Sequence, residues 1–415
     1  MLSLMNSVQL PDWAIFRWIV LICSGLVVAA MFLLASWGSE VTRLTYSLGL
    51  FVMAIISWAL RNYGGNFVPE LFHLCTGTCF EYMAVFRITF GFFIYHALLC
   101  IMTFGVTTGT SERGKIQNGL WLAKAIILTI ILVCMFYVPS NVFDIFAYIS
   151  LVCGILFLIV EGVIMLDLSC RLAEFCQEKY DKTSSNEWMA AMILIASLIF
   201  LLVTVSSVVC FAYFQGILLV PSVVNLVLVF ICVVSSISPC VRESNNRSGL
   251  MQAAFISLFT TYISLSAIGS WPAEDIGAED PDAPPTPGKE ELFQALFWLG
   301  MIGTFILLGV VAMSTRSGEW STPETEEDST SYSYSMFHLI FMLAACFICE
   351  LLVNWDTITT GSVGEGEEFK INSGTAAFWI KTVSAWLLSI LYLSSLYAPI
   401  FVDSCSDKQL CVFSF

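Results

Sequence analysis

Charge is what this sequence has least of. Only 12% of its 415 residues are Asp, Glu, Lys or Arg, while 58% are hydrophobic. A water-soluble chain of this length needs far more charge to cover its surface, so the surplus apolar residues need lipid as their solvent. Basic residues are the scarcer sign, 17 against 32 acidic, for a net charge of −15. That excludes a nucleic-acid partner, which requires a basic stripe. Histidine numbers 3, and no metal-ligand spacing occurs, so no metal or cofactor is expected. A Gly-rich phosphate loop, a nucleophile elbow and paired carboxylates with a His or Ser partner are all missing, and the chain reads as non-enzymatic. Cysteine is not scarce, but most of the 15 lie inside apolar runs, where they act as small hydrophobes.

What is abundant is the long apolar run. Candidate spans fall at 14–36, 42–60, 84–106, 119–138, 143–168, 188–214, 217–237, 249–268, 291–314, 336–354 and 376–400. A crossing helix needs about 20 mostly apolar residues. Only helices and closed barrels can cross, because lipid offers backbone N–H and C=O groups no partner. The runs are continuous and lack the alternation of barrel strands. The fold class is therefore an all-α polytopic membrane protein. It is a single domain over 1–415 with ten spans, or eleven if 14–36 crosses. That first run has no Lys or Arg before it, so it reads as an anchor or a span rather than a signal peptide. The run 143–168 extends through 169–175, and a helix that long must tilt or project from the membrane.

Basic residues give a direction. With the N-terminus on side zero, side one holds Arg43, Arg113, Lys115, Arg171, Lys179, Lys182, Arg242, Arg247, Arg316 and Lys408, while side zero holds Arg61, Lys289 and Lys370. Basic loops stay cytoplasmic, so side one is cytosolic and the C-terminus is inside. The expected setting is an endomembrane or the plasma membrane. The acidic, Pro-rich loop 269–290 and the run Val363–Lys370 fall outside, and the acidic loop 315–335 falls in the cytosol. Cys75 and Cys79 sit in the outside loop 61–83, where the compartment permits a disulfide; the alternative is two unpaired thiols. The sequon at Asn246 falls in the cytosol and is read as unused.

Ionisable residues within hydrocarbon usually face a protein interior or a water-filled cavity. Lys124 lies about 8 Å and Glu161 about 10 Å from the cytosolic ends of two consecutive spans. As antiparallel neighbours they can meet at one depth, either as a buried structural pair or as part of a polar path. Asp167 is roughly 9 Å further toward the cytosol on the same helix as Glu161. Arg17, Arg87, Asp144, Glu350 and Lys381 fall near the outer face and read as head groups reaching the interface. Asn225 and Gln252 read as hydrogen bonds between helices.

Several stretches, in order over 42–400, carry a resemblance. They are Thr42-Arg43-Leu44-Thr45-Tyr46 with Ser57-Trp58-Ala59-Leu60-Arg61, and Val85-Phe86-Arg87-Ile88-Thr89-Phe90-Gly91. Next come Asn118-Gly119-Leu120-Trp121-Leu122-Ala123-Lys124 and Ser248-Gly249-Leu250-Met251-Gln252. The last are Tyr332-Ser333-Tyr334-Ser335-Met336-Phe337-His338 and Trp379-Ile380-Lys381 through Ala398-Pro399. Together they resemble the serine incorporator family, of which this looks like a divergent member. Gln117 stands where the family usually has His, Glu161 where Gln is common, and Leu168–Ala173 where a different motif follows the acidic position matched by Asp167. In place of the family's Arg-Asp-Phe ending the chain reads Val402-Asp403-Ser404. The resemblance implies ten helices in two bundles separated by a long tilted helix. It also implies a lipid-related activity with membrane phospholipids as partners: scrambling between leaflets, with Lys124, Glu161 and Asp167 on the lipid path. The alternative is a carrier or scaffold that brings serine to lipid-synthesising enzymes for phosphatidylserine and sphingolipids. A secondary transporter ranks third, because no internal repeat or mid-span Pro break is evident.

Overall fold

The computed structural model describes residues 39–65, 68–72, 74–245, 249–271, 289–313, 332–363, 366–372 and 375–406. The sequence-based readings for 14–36, Arg17, the Asn246 sequon, most of loop 269–290 and nearly all of loop 315–335 lie outside these residues. The helices are α1 (Ser39–Tyr63), α2 (Val68–Phe72), α3 (Thr78–Met102), α4 (Gly114–Asn118), α5 (Trp121–Met135), α6 (Ser140–Thr183) and α7 (Glu187–Tyr213). After a 3₁₀ turn at Gly216–Leu219 come α8 (Val220–Ile237), α9 (Pro239–Ser244), α10 (Leu250–Gly269), α11 (Lys289–Met313) and α12 (Tyr334–Leu352). The last is α13 (Ala376–Ser406). Among the described residues, eight helical segments are long and apolar enough to cross a membrane, and the shorter apolar stretches Trp121–Met135 and Ala295–Gly309 accompany them. The ten runs read from residue 42 onward each fall on one of these segments. The long run is α6, whose 44 residues at ~1.5 Å each make about 66 Å, twice a hydrocarbon core of about 30 Å.

One departure from the all-helical reading is a hairpin. Of the run Val363–Lys370, read as an acidic outside loop, the described residues belong to strands β1 (Thr357–Val363) and β2 (Gly366–Asn372). They pair antiparallel from Thr357 opposite Asn372 to Val363 opposite Gly366. The β-branched run Thr-Ile-Thr-Thr suits a strand. Cys75 and Cys79 form a disulfide with 5.8 Å between Cα atoms.

The chain divides into two compact units. One takes the described residues up to Phe157 and those within Gly300–Ser373; the other takes those within Leu158–Leu299 and Gly374–Phe415. In the first unit α3 is central and packs on α1, α5 and α12. In the second α10 is central and packs on α7, α8 and α13. Lipid gives helices no hydrophobic reason to associate, so close approach of small residues does the work. Ala84, Ala344 and Ala345 are fully buried in the first unit, and Ala253, Ala254 and Ala267 in the second. Gly91 lets α3 meet α5 so closely that an added Cβ would lie 2.8 Å from Leu132 Cδ2. Buried hydroxyls do not compete with this packing. Thr89, Ser257, Ser264, Thr382 and Ser389 each donate to the carbonyl four residues earlier in their own helix.

Candidate functional site

Four cations among the described residues close helix ends. The last carbonyls of a helix have no partner inside it, and the helix dipole adds negative potential there. Arg87 on α3 donates to Met135 O at 2.5 Å and Val138 O at 2.7 Å, the end of α5. Arg61 on α1 donates to Leu352 O, the end of α12. Arg113 donates to Met102 O at 2.9 Å and Phe104 O at 2.5 Å, closing α3. In the second unit Lys381 on α13 donates to Ser266 O at 3.4 Å and to Ser270 Oγ, closing α10. Arg87 and Lys381 are buried, so these side chains turn inward instead of reaching for an interface. The reason is geometric: each has a helix end within hydrogen-bonding reach.

The acids sort differently. Glu350, read as an outer-face charge, is buried on α12, accepts from Ser150 Oγ on α6 and packs its Cγ against Gly154. Asp144 is half-buried in the first turns of α6. Asp167 is exposed and pairs with Arg171 one turn on, at 2.7 Å. Lys124 and Glu161 belong to different units, each with partners inside its own. Glu161 is buried on α6 and acts electrostatically on Tyr262 of α10.

Lys124 belongs to a buried polar network in the first unit. Its Nζ donates to Gln117 O at 2.8 Å and lies 4.0 Å from the Trp121 ring centroid and 5.1 Å from that of Tyr46. Gln117 Nε2 donates to Tyr332 OH at 3.0 Å, and Gln117 Oε1 meets His338 Nε2 at 2.7 Å. His338 Nδ1 and His96 Nδ1 are 3.0 Å apart. Arg43, counted from the sequence as a cytosolic-edge charge, is buried with its guanidinium 4.9 Å from the Tyr332 ring centroid. Three stretches that carry the resemblance, 42–46, 118–124 and 332–338, thus meet in space. His96 was absent from the sequence reading, because a lone His in an apolar helix has no motif around it. Gln117 was noticed only as a departure.

The second unit holds a cavity of about 470 Å³ among α6, α7, α8, α9 and α10. Glu174, Gln177, Asp181, Arg242, Asn245 and Gln252 supply polar groups of both signs, and Met189, Met192, Ile193 and Ile237 supply apolar wall. Gln252 also donates to Cys170 Sγ at 3.7 Å, and Asn225 donates to Thr261 Oγ1 at 2.9 Å, the inter-helix bonds expected of these amides. The cavity went unread in the sequence because its lining comes from five helices and its charged residues look, one by one, like ordinary helix-end residues.

Known proteins resemble this chain over most of its length. The serine incorporator (Serinc) family model matches residues 20–323 and 312–404. Among similar proteins, a "Probable serine incorporator" of Nematostella vectensis is 27% identical, covering 87% of this chain and 90% of its own. "Serine incorporator 2" of Homo sapiens is 27% identical, covering 88% and 92%. A "Probable serine incorporator" of Dictyostelium discoideum is 26% identical, covering 78% and 84%. With its apolar helices, its two units and its match over nearly the full length, this chain belongs to the serine incorporator family of membrane proteins.

Proposed function

We propose that the protein handles lipid without enzymatic chemistry, letting phospholipids cross between leaflets. The observation that carries this reading is the charged cavity of the second unit, set among helices whose apolar side chains are widely exposed. Ile193, Leu194, Leu198 and Ile237 all present more than 50% of their surface. A phospholipid's barrier to crossing is desolvation of its headgroup. Arg242 suits a phosphate; Glu174 and Asp181 suit the cationic end of a zwitterionic headgroup. Acyl chains stay against the apolar wall. Charges of both signs in one cavity favour little selectivity among headgroups. Glu161 with Tyr262 supplies a second polar point in the same unit, and Lys124 one in the first.

The test is reconstitution into liposomes carrying a fluorescent phospholipid, with an impermeant quencher added outside. Leaflet exchange above protein-free vesicles is expected, and none would sink the proposal. Replacing Arg242 and Gln252 together with Ala is expected to slow exchange roughly tenfold, the effect of losing about one charged hydrogen bond. The relatives' names favour a second reading, delivery of serine to lipid synthesis. It predicts faster entry of labelled serine into phosphatidylserine in membranes containing the protein, with no leaflet exchange in the purified system.

A further inference from the structure

We infer that Cys153 and Cys346, both in the first unit, are a thiol pair that lipid hydroperoxides oxidise to a disulfide between α6 and α12. The two helices cross at Gly154. A Cβ added there would lie 3.1 Å from Glu350 Cγ and 3.7 Å from Phe347 Cα. To one side of the crossing Ser150 donates to Glu350. To the other, the rings of Phe157 and Phe347 have centroids 5.2 Å apart. Cys153 and Cys346 directly precede Gly154 and Phe347 in the chain. Both are free thiols, and they are hydrogen-bonded to each other. A disulfide holds its sulfurs about 2.05 Å apart, so thiols already in contact need only a short closing movement.

The surroundings separate this pair from the third thiol nearby. Cys349, one turn further along α12, is fully buried and hydrogen-bonded to Thr89 and Ser150. Cys346 is fully buried too, so a reagent meets Cys153 first. Cys153 is half-buried. It flanks a stripe of α6 formed by Ile145, Ile149, Val152 and Leu156, whose side chains are each more than 40% exposed. Cys153 lies about 20 Å along α6 from Ser140, and Cys346 about 9 Å from the end of α12, so both sit within membrane-crossing helices. The medium against that stripe is acyl chain. A charged, water-borne oxidant such as oxidised glutathione is kept out by the cost of desolvation. A hydroperoxide carried on an acyl chain is already in that medium.

The chemistry balances with the hydroperoxide as co-reactant. The Cys153 sulfur takes the terminal peroxide oxygen: an S–O bond forms, the O–O bond breaks, and the lipid leaves as its alcohol with the thiol proton. Cys153 is then a sulfenic acid. The Cys346 sulfur attacks the Cys153 sulfur: the S–S bond forms, the S–O bond breaks, and the hydroxyl leaves as water with the Cys346 proton. The sulfurs give up two electrons and the peroxide takes them. The product ties α6 to α12 at the point where they cross.

The experiment uses the full chain in phosphatidylcholine nanodiscs containing a linoleoyl phosphatidylcholine hydroperoxide, followed by non-reducing peptide mapping. The matching lipid alcohol is the control. A linked peptide pair holding Cys153 and Cys346 is expected with the hydroperoxide and absent with the alcohol, and one lipid alcohol is expected to form per link. The parent chain carries this result without any variant. Cys346→Ser is expected to lose the link and to leave Cys153 reactive toward dimedone, which traps a sulfenic acid. Cys349→Ser is expected to keep the link. No link above the alcohol control, a link through Cys349, or an equal link from oxidised glutathione would overturn the inference. So would loss of the link in Cys349→Ser at an unchanged unfolding temperature.

Discussion

Arg87 illustrates how much a single side chain does when water is absent. Its two bonds to the end of α5 replace the capping that a soluble helix takes from solvent. Arg87→Leu is expected to cost about 1.5–3 kcal/mol, the worth of hydrogen bonds to a charged group, and Arg87→Lys less, because one amine reaches the two carbonyls less well. Thermal unfolding of purified protein checks both; equal loss for the two variants would argue against capping. Lys381→Met is expected to act in the same direction on α10. The sequence showed Arg87 and Lys381 as charges in hydrocarbon, but not their task. A carbonyl at a helix end has no residue type to mark it, and its helix is distant in sequence. For Lys381 and Ser266 the separation is 115 residues. Glu350 and Ser150 were equally unpairable from sequence, 200 residues apart.

At the scale of elements, hydrophobic runs made every long helix legible, because in lipid the length and polarity of a run are set by the bilayer rather than by partners. Contacts between helices were not, since small residues do the packing and are scattered everywhere. Gly91 and Gly162 mark two such contacts; a Cβ at Gly162 would lie 2.5 Å from Leu388 Cδ2. Gly91→Leu is expected to destabilise by about 1–3 kcal/mol through overpacking, read as a lower unfolding temperature, with no effect on the disulfide. The Cys75–Cys79 bond itself predicts that these two thiols take up maleimide in denatured protein only after reduction. Labelling without reductant would show them free. The hairpin β1–β2 was missed because acidic residues outvoted the alternation that a strand needs.

For the whole molecule, the excess of basic residues on one side predicts that a tag on the C-terminus is reached by antibody only after permeabilising cells. A tag reached in intact cells would reverse the orientation. The candidate site was legible in part: the stretches that meet around Gln117 were visible as a resemblance, but their meeting was not. Both units are assembled from segments far apart in the chain, and this has a consequence for biosynthesis. Arg61 on α1 waits for the carbonyl end of α12, made nearly three hundred residues later. The end of α10 waits for a lysine, Lys381, not yet made when α10 leaves the ribosome. During translation the early helices must therefore persist in the membrane with open polar ends, held by the translocon or a membrane chaperone. A chain halted before α12 is expected to be recognised as unfinished and degraded, however many spans it has already inserted; pulse–chase of stop-codon truncations would show it.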